Sequence, residues 1–199
     1  MGKTVRHKEL ENKLQECEAI KFGDFTLASG KKSKYYIDVK KAVTRPKILE
    51  LMCEHIVDVI NDLDIKADYI ACVELGAVPI GVIVSVTTGL PLIIIRKAKK
   101  EHGIKSRIVG DPEKEKIALL VEDVTTTGGS VITAAKALRD EGLTVRKVIS
   151  VVDRDEGAEY ELEKEGLTLI SLVKAKTLLE DYEVAEALRH SSAVRTNNK

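Results

Sequence analysis

The side chains best suited to chemistry lie together in residues 117–130, which read IALLVEDVTTTGGS. An apolar, strand-like run leads into two adjacent carboxylates, Glu122 and Asp123, and a hydroxyl- and glycine-rich turn then precedes a helical pattern. Gly128 and Gly129 permit positive φ and a close backbone approach, so that successive N–H groups and the helix N-terminus can face one anion. The turn therefore predicts a phosphate-binding loop.

The side chains of this turn indicate which class of ligand it binds. Hydroxyl donors are available from Thr125, Thr126, Thr127 and Ser130. Carboxylates beside an anion site make sense when the ligand also carries hydroxyl groups or Mg²⁺, because carboxylates accept hydrogen bonds and favour hard cations. A sugar phosphate meets both demands. An ordinary strand-to-helix turn capped by Ser or Thr is the alternative, whereas the sequence contains neither G-x-x-x-x-G-K-[ST] nor G-x-G-x-x-G.

Two basic stretches could meet such a ligand. Residues 31–47 hold seven basic side chains against one acid, and residues 96–107 hold six against one. Apart from Arg96, they lie in residues 22–47 and 97–116, and these two segments do not fit the alternation of strands and helices in the rest of the chain. Connections of about twenty residues without regular structure are usually functional or mobile in a compact domain, although a solvated surface also explains the charge.

Alternating elements must position these groups. Nearly continuous apolar runs, typical of strands covered on both faces, occur at residues 69–73, 92–95, 117–121, 148–152 and 167–172. Apolar side chains recur at helical spacing between them, in residues 48–60, 78–86 and 131–138. The alternation predicts an α/β fold with a mostly parallel sheet and right-handed helical crossovers.

The overall composition excludes several functions. Residue counts of 32 Lys+Arg and 32 Asp+Glu in 199 residues argue against a protein that coats nucleic acid, and seven aromatic residues are too few for a base-stacking platform. The apolar runs fall short of the roughly 20 residues of a membrane helix, and residues 1–14 are polar, so we expect a cytoplasmic protein. The widely spaced Cys17, Cys53 and Cys72 predict reduced structural thiols.

Several segments together resemble a known family. Residues 121–130, VEDVTTTGGS, resemble the 5-phosphoribosyl-1-diphosphate (PRPP) motif of type I phosphoribosyltransferases. Residues 22–38, FGDFTLASGKKSKYYID, resemble the N-terminal substrate segment of orotate phosphoribosyltransferases, and residues 96–103, RKAKKEHG, resemble their mobile catalytic loop. With VDRDEG at residues 152–157, the resemblance covers about residue 22 to residue 179, and it is to the archaeal members of this family.

The resemblance implies a type I phosphoribosyltransferase fold over a single domain, residues 1–199. Residues from about 1–45 and the C-terminal segment would form a hood, and residues 95–116 would form the mobile catalytic loop. The implied reaction transfers ribose 5-phosphate from PRPP to N1 of orotate in UMP biosynthesis, giving orotidine 5′-monophosphate and diphosphate. It also implies Mg²⁺, held mainly by substrate oxygens and water, and a homodimer with shared active sites that binds neither nucleic acid nor membrane.

The family's PRPP site carries over to matching positions of this chain. Negative charge grows on the departing diphosphate, so cations are needed near it, and Lys100 is the residue that the resemblance assigns to this role. Glu122 and Asp123 match the acidic pair that holds the ribose hydroxyls, and Asp123 is the second residue assigned to catalysis. The implied PRPP contacts are Arg96, Lys97, Lys100, His102, Glu122, Asp123, Val124, Thr125, Thr126, Thr127, Gly128, Gly129 and Ser130.

The resemblance assigns orotate to Thr126 and Arg154, and a planar guanidinium suits a carboxylate. Without the resemblance, Arg154 reads as a surface charge that neutralises the aspartates on either side of it. Tyr35 and Tyr36 could flank the pyrimidine, and packing within a hairpin explains them equally well.

Two departures and two alternatives accompany the resemblance. Many bacterial relatives carry lysines where this chain has Ala28 and Gly76, so two cationic contacts are missing here unless other basic residues replace them.

A purine-salvage phosphoribosyltransferase would use the same PRPP loop, and residues 22–38 argue against it. A PRPP-sensing regulator would need a DNA-reading module, and the roughly twenty residues before Phe22 are too few for a helix-turn-helix domain.

Overall fold

The computed structural model describes residues 7–26, 30, 32–97 and 107–196, with side chains described as far as residue 185. The strands are β1 (Ile20–Thr26), β2 (Lys32–Ile37), β3 (Tyr69–Val73), β4 (Leu92–Ile95), β5 (Ile108–Val109), β6 (Ile117–Thr125), β7 (Thr144–Asp153) and β8 (Thr168–Lys174). The helices are α1 (Lys8–Glu16), α2 (Lys40–Val43), α3 (Pro46–Asp62), α4 (Val78–Thr88), α5 (Gly129–Asp140), α6 (Ala158–Lys164) and α7 (Ala175–Thr196).

The main sheet has the strand order β5-β4-β3-β6-β7-β8. Its strands run parallel except β5, which pairs antiparallel with β4 at one edge. From β3 the chain first adds β4 on one side and then β6 on the other. The order of strands therefore reverses between β3 and β6, and such sheets bind their ligands outside the carboxyl ends of the strands at this reversal.

Two apolar cores, one on each face of the sheet, explain why β3 is apolar throughout. Ile70 of β3 belongs to the core that includes Met52 of α3 and Ile80 of α4. The next residue, Ala71, belongs to the opposite core, with Leu138 of α5. Successive strand residues point to opposite faces, so a strand covered on both sides has no exposed position for a polar residue.

The α/β prediction is confirmed, with two corrections. β6 does not end before the carboxylates but continues through Thr125, because its pairing with β7 extends as far as Thr125 and Asp153. Residues 22–47 are not an irregular connection: they include most of the antiparallel hairpin β1–β2, together with α2 and the start of α3. In β2 the exposed Lys32, Lys34 and Tyr36 alternate with the half-buried Ser33, Tyr35 and Ile37, so its apolar signal was too weak to recognise.

Within the part of the chain that the structure describes, no helix is both long and apolar enough to cross a membrane. Cys17, Cys53 and Cys72 are all buried and free, in agreement with the prediction of reduced structural thiols.

Candidate active site

A cleft of about 460 Å³ opens at the carboxyl ends of β3 and β6, where the order of the strands reverses. Its lining comes from residues 37–40 at and after the end of β2, residues 73–76 at the end of β3, five residues from the end of β6 to the start of α5 (residues 122–124, 126 and 130), and Lys97 after β4. Segments far apart in sequence thus meet at the position where doubly wound sheets bind ligands.

The two adjacent carboxylates lie on the last residues of β6. Glu122 is only 6% exposed, and the backbone N–H of Asp123 donates to its Oε1 at 3.3 Å. Burial, followed by the neighbouring Asp123 carboxyl group, raises the pKa of Glu122 well above its usual value, and nearby Lys97 opposes this shift. Burial therefore favours the protonated form of Glu122, in which a carboxyl group can both donate hydrogen bonds to hydroxyl groups of a ligand and accept them.

The chain after β3 approaches these carboxylates closely. A Cβ atom placed on Gly76 would lie 1.8 Å from Oδ2 and 2.6 Å from Cγ of Asp123. No side chain fits in that space, so only glycine at position 76 leaves room for the Asp123 carboxylate in its present position.

The turn after β6 has the geometry of an anion site. Gly128 has a φ of 82° at the N-terminus of α5, and the N–H of Ile132 donates to its carbonyl at 2.9 Å. The N–H groups of residues 129–131 precede this bond and have no partner within the helix, so they are free for an anion. Among the described residues, the buried Oγ1 of Thr125 has no hydrogen-bond partner.

The start of the basic stretch lies at the cleft. Lys97 lines it, and the Lys97 backbone N–H donates to Oε1 of Glu74 at 2.8 Å. The backbone N–H of Arg96 donates to the carbonyl of Arg107 at 2.8 Å, so the first and last residues of the basic stretch 96–107 are hydrogen-bonded to each other. Lys100 and His102 lie outside the described residues, so the roles assigned to them stay predictions.

Arg154 is not the surface charge that its neighbours in sequence suggest. Its side chain is 13% exposed, and Nη2 lies 2.8 Å from Oε1 of Glu156 rather than pairing with the adjacent aspartates. Its Nε is buried and has no hydrogen-bond partner among the described residues, so this N–H is available to a ligand. The Tyr35 hydroxyl donates to the Arg154 carbonyl at 2.8 Å, and the Tyr35 ring centroid lies 5.3 Å from the guanidinium carbon. The hairpin is thereby held against the end of β7.

The structure brings some of the predicted residues together and leaves others beside the cleft. Those that line it are Lys97, Glu122, Asp123, Val124, Thr126 and Ser130. Those that do not line it are Arg96, Thr125, Thr127, Gly128, Gly129 and Arg154. Arg154 is linked to the loop because its backbone N–H donates to the Thr125 carbonyl at 2.9 Å.

Sequence reasoning missed three polar lining residues, Asp38, Lys40 and Glu74. Glu74 comes directly after the buried strand β3, and a charged residue in that position was a usable signal. Asp38 ends the segment that carries the family resemblance, but nothing local indicated that the exit of the hairpin reaches the cleft.

Comparison with known proteins gives a consistent result. Residues 40–186 match the family model of the phosphoribosyl transferase domain. The protein named orotate phosphoribosyltransferase from Methanosarcina acetivorans is 49% identical over 175 residues, which are 88% of this chain and 92% of that protein. Its namesake from Methanocaldococcus jannaschii is 50% identical over 173 residues, which are 87% and 97% of the two chains.

Solved structures of the same name share the fold. The crystal structure of orotate phosphoribosyltransferase from Aeropyrum pernix aligns with a TM-score of 0.79 and 31% identity, over 87% of this chain and 98% of that chain. A second, from Mycobacterium tuberculosis H37Rv in complex with PRPP, aligns with a TM-score of 0.68 and 28% identity, over 83% and 94% of the two chains.

Proposed function

Because this chain belongs to the phosphoribosyltransferase family, we propose that it transfers ribose 5-phosphate from PRPP to N1 of orotate, giving orotidine 5′-monophosphate and diphosphate for UMP biosynthesis. One observation carries the proposal: the carboxylate pair of β6 and the anion-binding turn before α5 open onto the same cleft at the strand reversal. A ligand that carries both ribose hydroxyls and phosphates satisfies both parts.

The residues of the cleft divide the work of this reaction. The bond between C1′ and the diphosphate oxygen breaks with its electrons leaving on diphosphate, while N1 of orotate bonds to C1′. Helix N–H groups and hydroxyls of the turn bind the 5′-phosphate, and Glu122 and Asp123 hydrogen-bond to the ribose hydroxyls. Lys97, together with Lys100 in the role that the family resemblance implies, stabilises the charge that grows on the diphosphate.

Orotate recognition is proposed for Thr126 and Arg154. Thr126 lines the cleft, and the Nε–H of Arg154, which has no partner among the described residues, suits a carboxylate oxygen. We also propose that residues from about 1–45 and the C-terminal segment form a hood over the site. In support, the rings of Phe22 in β1 and Tyr182 in α7 stack with centroids 4.6 Å apart.

The proposed cofactor is Mg²⁺. The carboxylate oxygens of Glu122 and Asp123 are the hard donors that this ion prefers. The described residues contain no group of three or more His, Cys, Asp or Glu side chains placed to hold a metal. The ion therefore fits best when it arrives with PRPP, bound mainly by substrate oxygens and water, and it would then neutralise charge on the diphosphate.

We propose a homodimer with shared sites, in which Lys100 of one subunit serves the cleft of the other. Apolar side chains on the outer face of α4 support an interface, because Val82 is 42% exposed and Val86 78% exposed.

A cytoplasmic location is proposed because the thiols are free. Burial raises the pKa of Cys53 and Cys72 to about 12, which keeps them unreactive.

The decisive assay follows the loss of orotate absorbance on mixing the protein with PRPP and Mg²⁺. We expect turnover with orotate and none with hypoxanthine, guanine or adenine. Turnover of a purine base with no change in the orotate signal would show a salvage enzyme. PRPP binding without turnover of any base would instead support a PRPP-sensing regulator.

A further inference from the structure

The residue that follows β3 is acidic, although it borders a cleft that must hold a diphosphate. Glu74 lines the cleft beside Gly76. An ionised carboxylate there repels a bound anion, so its presence needs a physical explanation. Among the described residues Glu74 has no ion pair with a basic side chain; its carboxylate instead accepts the backbone N–H of Lys97 at 2.8 Å.

Glu74 is attached to the chain leaving β4 at two points. Its own backbone N–H donates to the carbonyl of Ile95 at 2.9 Å, which continues the β3–β4 pairing one residue beyond Val73 and Ile95. Its side chain then reaches two residues further along, to Lys97. This bond ties the Lys97 backbone directly to the first residue of the turn after β3.

Lys97 is the group that this arrangement positions. It lines the cleft with Glu122 and Asp123, and its charge acts on Glu122 against the effect of burial. The other lysine that lines the cleft, Lys40, already lies 3.4 Å from the Asp38 carboxylate. Within the described residues, Lys97 is therefore the cleft lysine that has no carboxylate partner within ion-pair distance.

We propose that Glu74 is a positioning residue: its carboxylate holds the Lys97 backbone so that the Lys97 ammonium faces the anionic part of the substrate. Glu74 acts as a hydrogen-bond acceptor and not as a charge in this role. The proposal rests on the proposed function in one respect, which is that PRPP is the anion that Lys97 meets.

The kinetic test compares Glu74→Ala with Glu74→Gln, since glutamine keeps the acceptor oxygen and loses the charge. We expect Glu74→Ala to raise KM for PRPP about tenfold, which matches the loss of one hydrogen bond to a charged group, with kcat changed less than twofold. Glu74→Gln should stay within twofold of the unmodified protein in both constants. Glu50→Ala, which removes an exposed acid from α3, is the matched control.

A double variant tests whether Glu74 acts through Lys97. Against the background of Lys97→Ala, Glu74→Ala should change KM for PRPP by less than twofold, because the ammonium that it positions is already gone. A full tenfold loss in that background would overturn the proposal. It would also be overturned if Glu74→Gln were as impaired as Glu74→Ala, because charge would then be the property that matters.

Hydrogen exchange of the Lys97 amide provides a readout that needs no substrate. We expect Glu74→Ala to accelerate this exchange at least tenfold, with the rate unchanged in Glu74→Gln and Glu50→Ala. Unchanged exchange in Glu74→Ala would show that the bond is not a tether. This measurement stays valid even if the protein fails to convert orotate, so failure of the positioning role and failure of the proposed function are distinguishable.

Discussion

Replacing Gly76 with alanine tests the packing at the centre of the cleft. The added Cβ would lie 1.8 Å from Oδ2 of Asp123, whereas ordinary contacts begin at 3.4 Å, so the carboxylate must retreat by about 1.6 Å, the difference between these distances. A misplacement of about 1 Å in a catalytic group can cost about 100-fold in rate. We therefore expect Gly76→Ala to lower kcat/KM for PRPP about 100-fold.

The assay measures orotate consumption over a range of PRPP concentrations, with thermal unfolding as a check on folding. Asp123 is half-buried and its carboxylate can swing away, so we expect the variant to remain folded. Gly76→Lys, which introduces the residue of many bacterial relatives, should impair the enzyme at least as much as Gly76→Ala. It should not restore a missing cation, because its Cβ meets the same carboxylate.

The loss in Gly76→Ala should arise from displacement of the Asp123 carboxylate. In an Asp123→Ala background the displaced carboxylate is absent, so adding Gly76→Ala should cost less than twofold more. The explanation is refuted if the single variant is folded and within threefold of the unmodified protein. A full 100-fold loss in the Asp123→Ala background would refute it as well.

Three further predictions concern the dimer, the buried acid and the anion turn. Mixing Lys100→Ala with Asp123→Asn subunits should restore about one working site per heterodimer, and no recovery with heterodimers shown to form would contradict shared sites. The raised pKa of Glu122 means that the folded state keeps this proton as pH rises above the usual 4.5, so Glu122 ionisation lowers stability with rising pH. The free energy of unfolding, measured with urea from about pH 5 to pH 8, should fall less for Glu122→Gln than for the unmodified protein. Parallel pH curves for the two proteins would disprove this expectation. Gly128→Ala would place a Cβ 3.2 Å from Leu162 on a backbone with a φ of 82°. We therefore expect the free energy of unfolding to fall by about 1 kcal/mol and phosphate to bind more weakly. If neither the free energy of unfolding nor phosphate binding changed, the result would count against the turn geometry.

Local apolar patterns were sufficient to predict the central sheet. The boundaries of β3 and β4 coincide with their apolar runs, because positions covered on both faces of a sheet favour apolar residues. The hairpin β1–β2 could not be found in this way. Its side chains are exposed or half-buried, and its position depends on contacts with distant residues, such as the bond from Tyr35 to the Arg154 carbonyl.

The sequence by itself determined the α/β class, the anion-binding turn and the two adjacent carboxylates, because each depends on residues that are neighbours in the chain. Tertiary structure alone decided which other groups meet them. Glu74 and Gly76 face Glu122 and Asp123 because parallel strands β3 and β6 pair side by side, which brings their carboxyl ends together across nearly fifty residues of chain. The close approach of Gly76 to the Asp123 carboxylate is a consequence of that pairing, and the bond from the Lys97 N–H to Glu74 is a consequence of the pairing of β3 with β4; no local pattern encodes either contact.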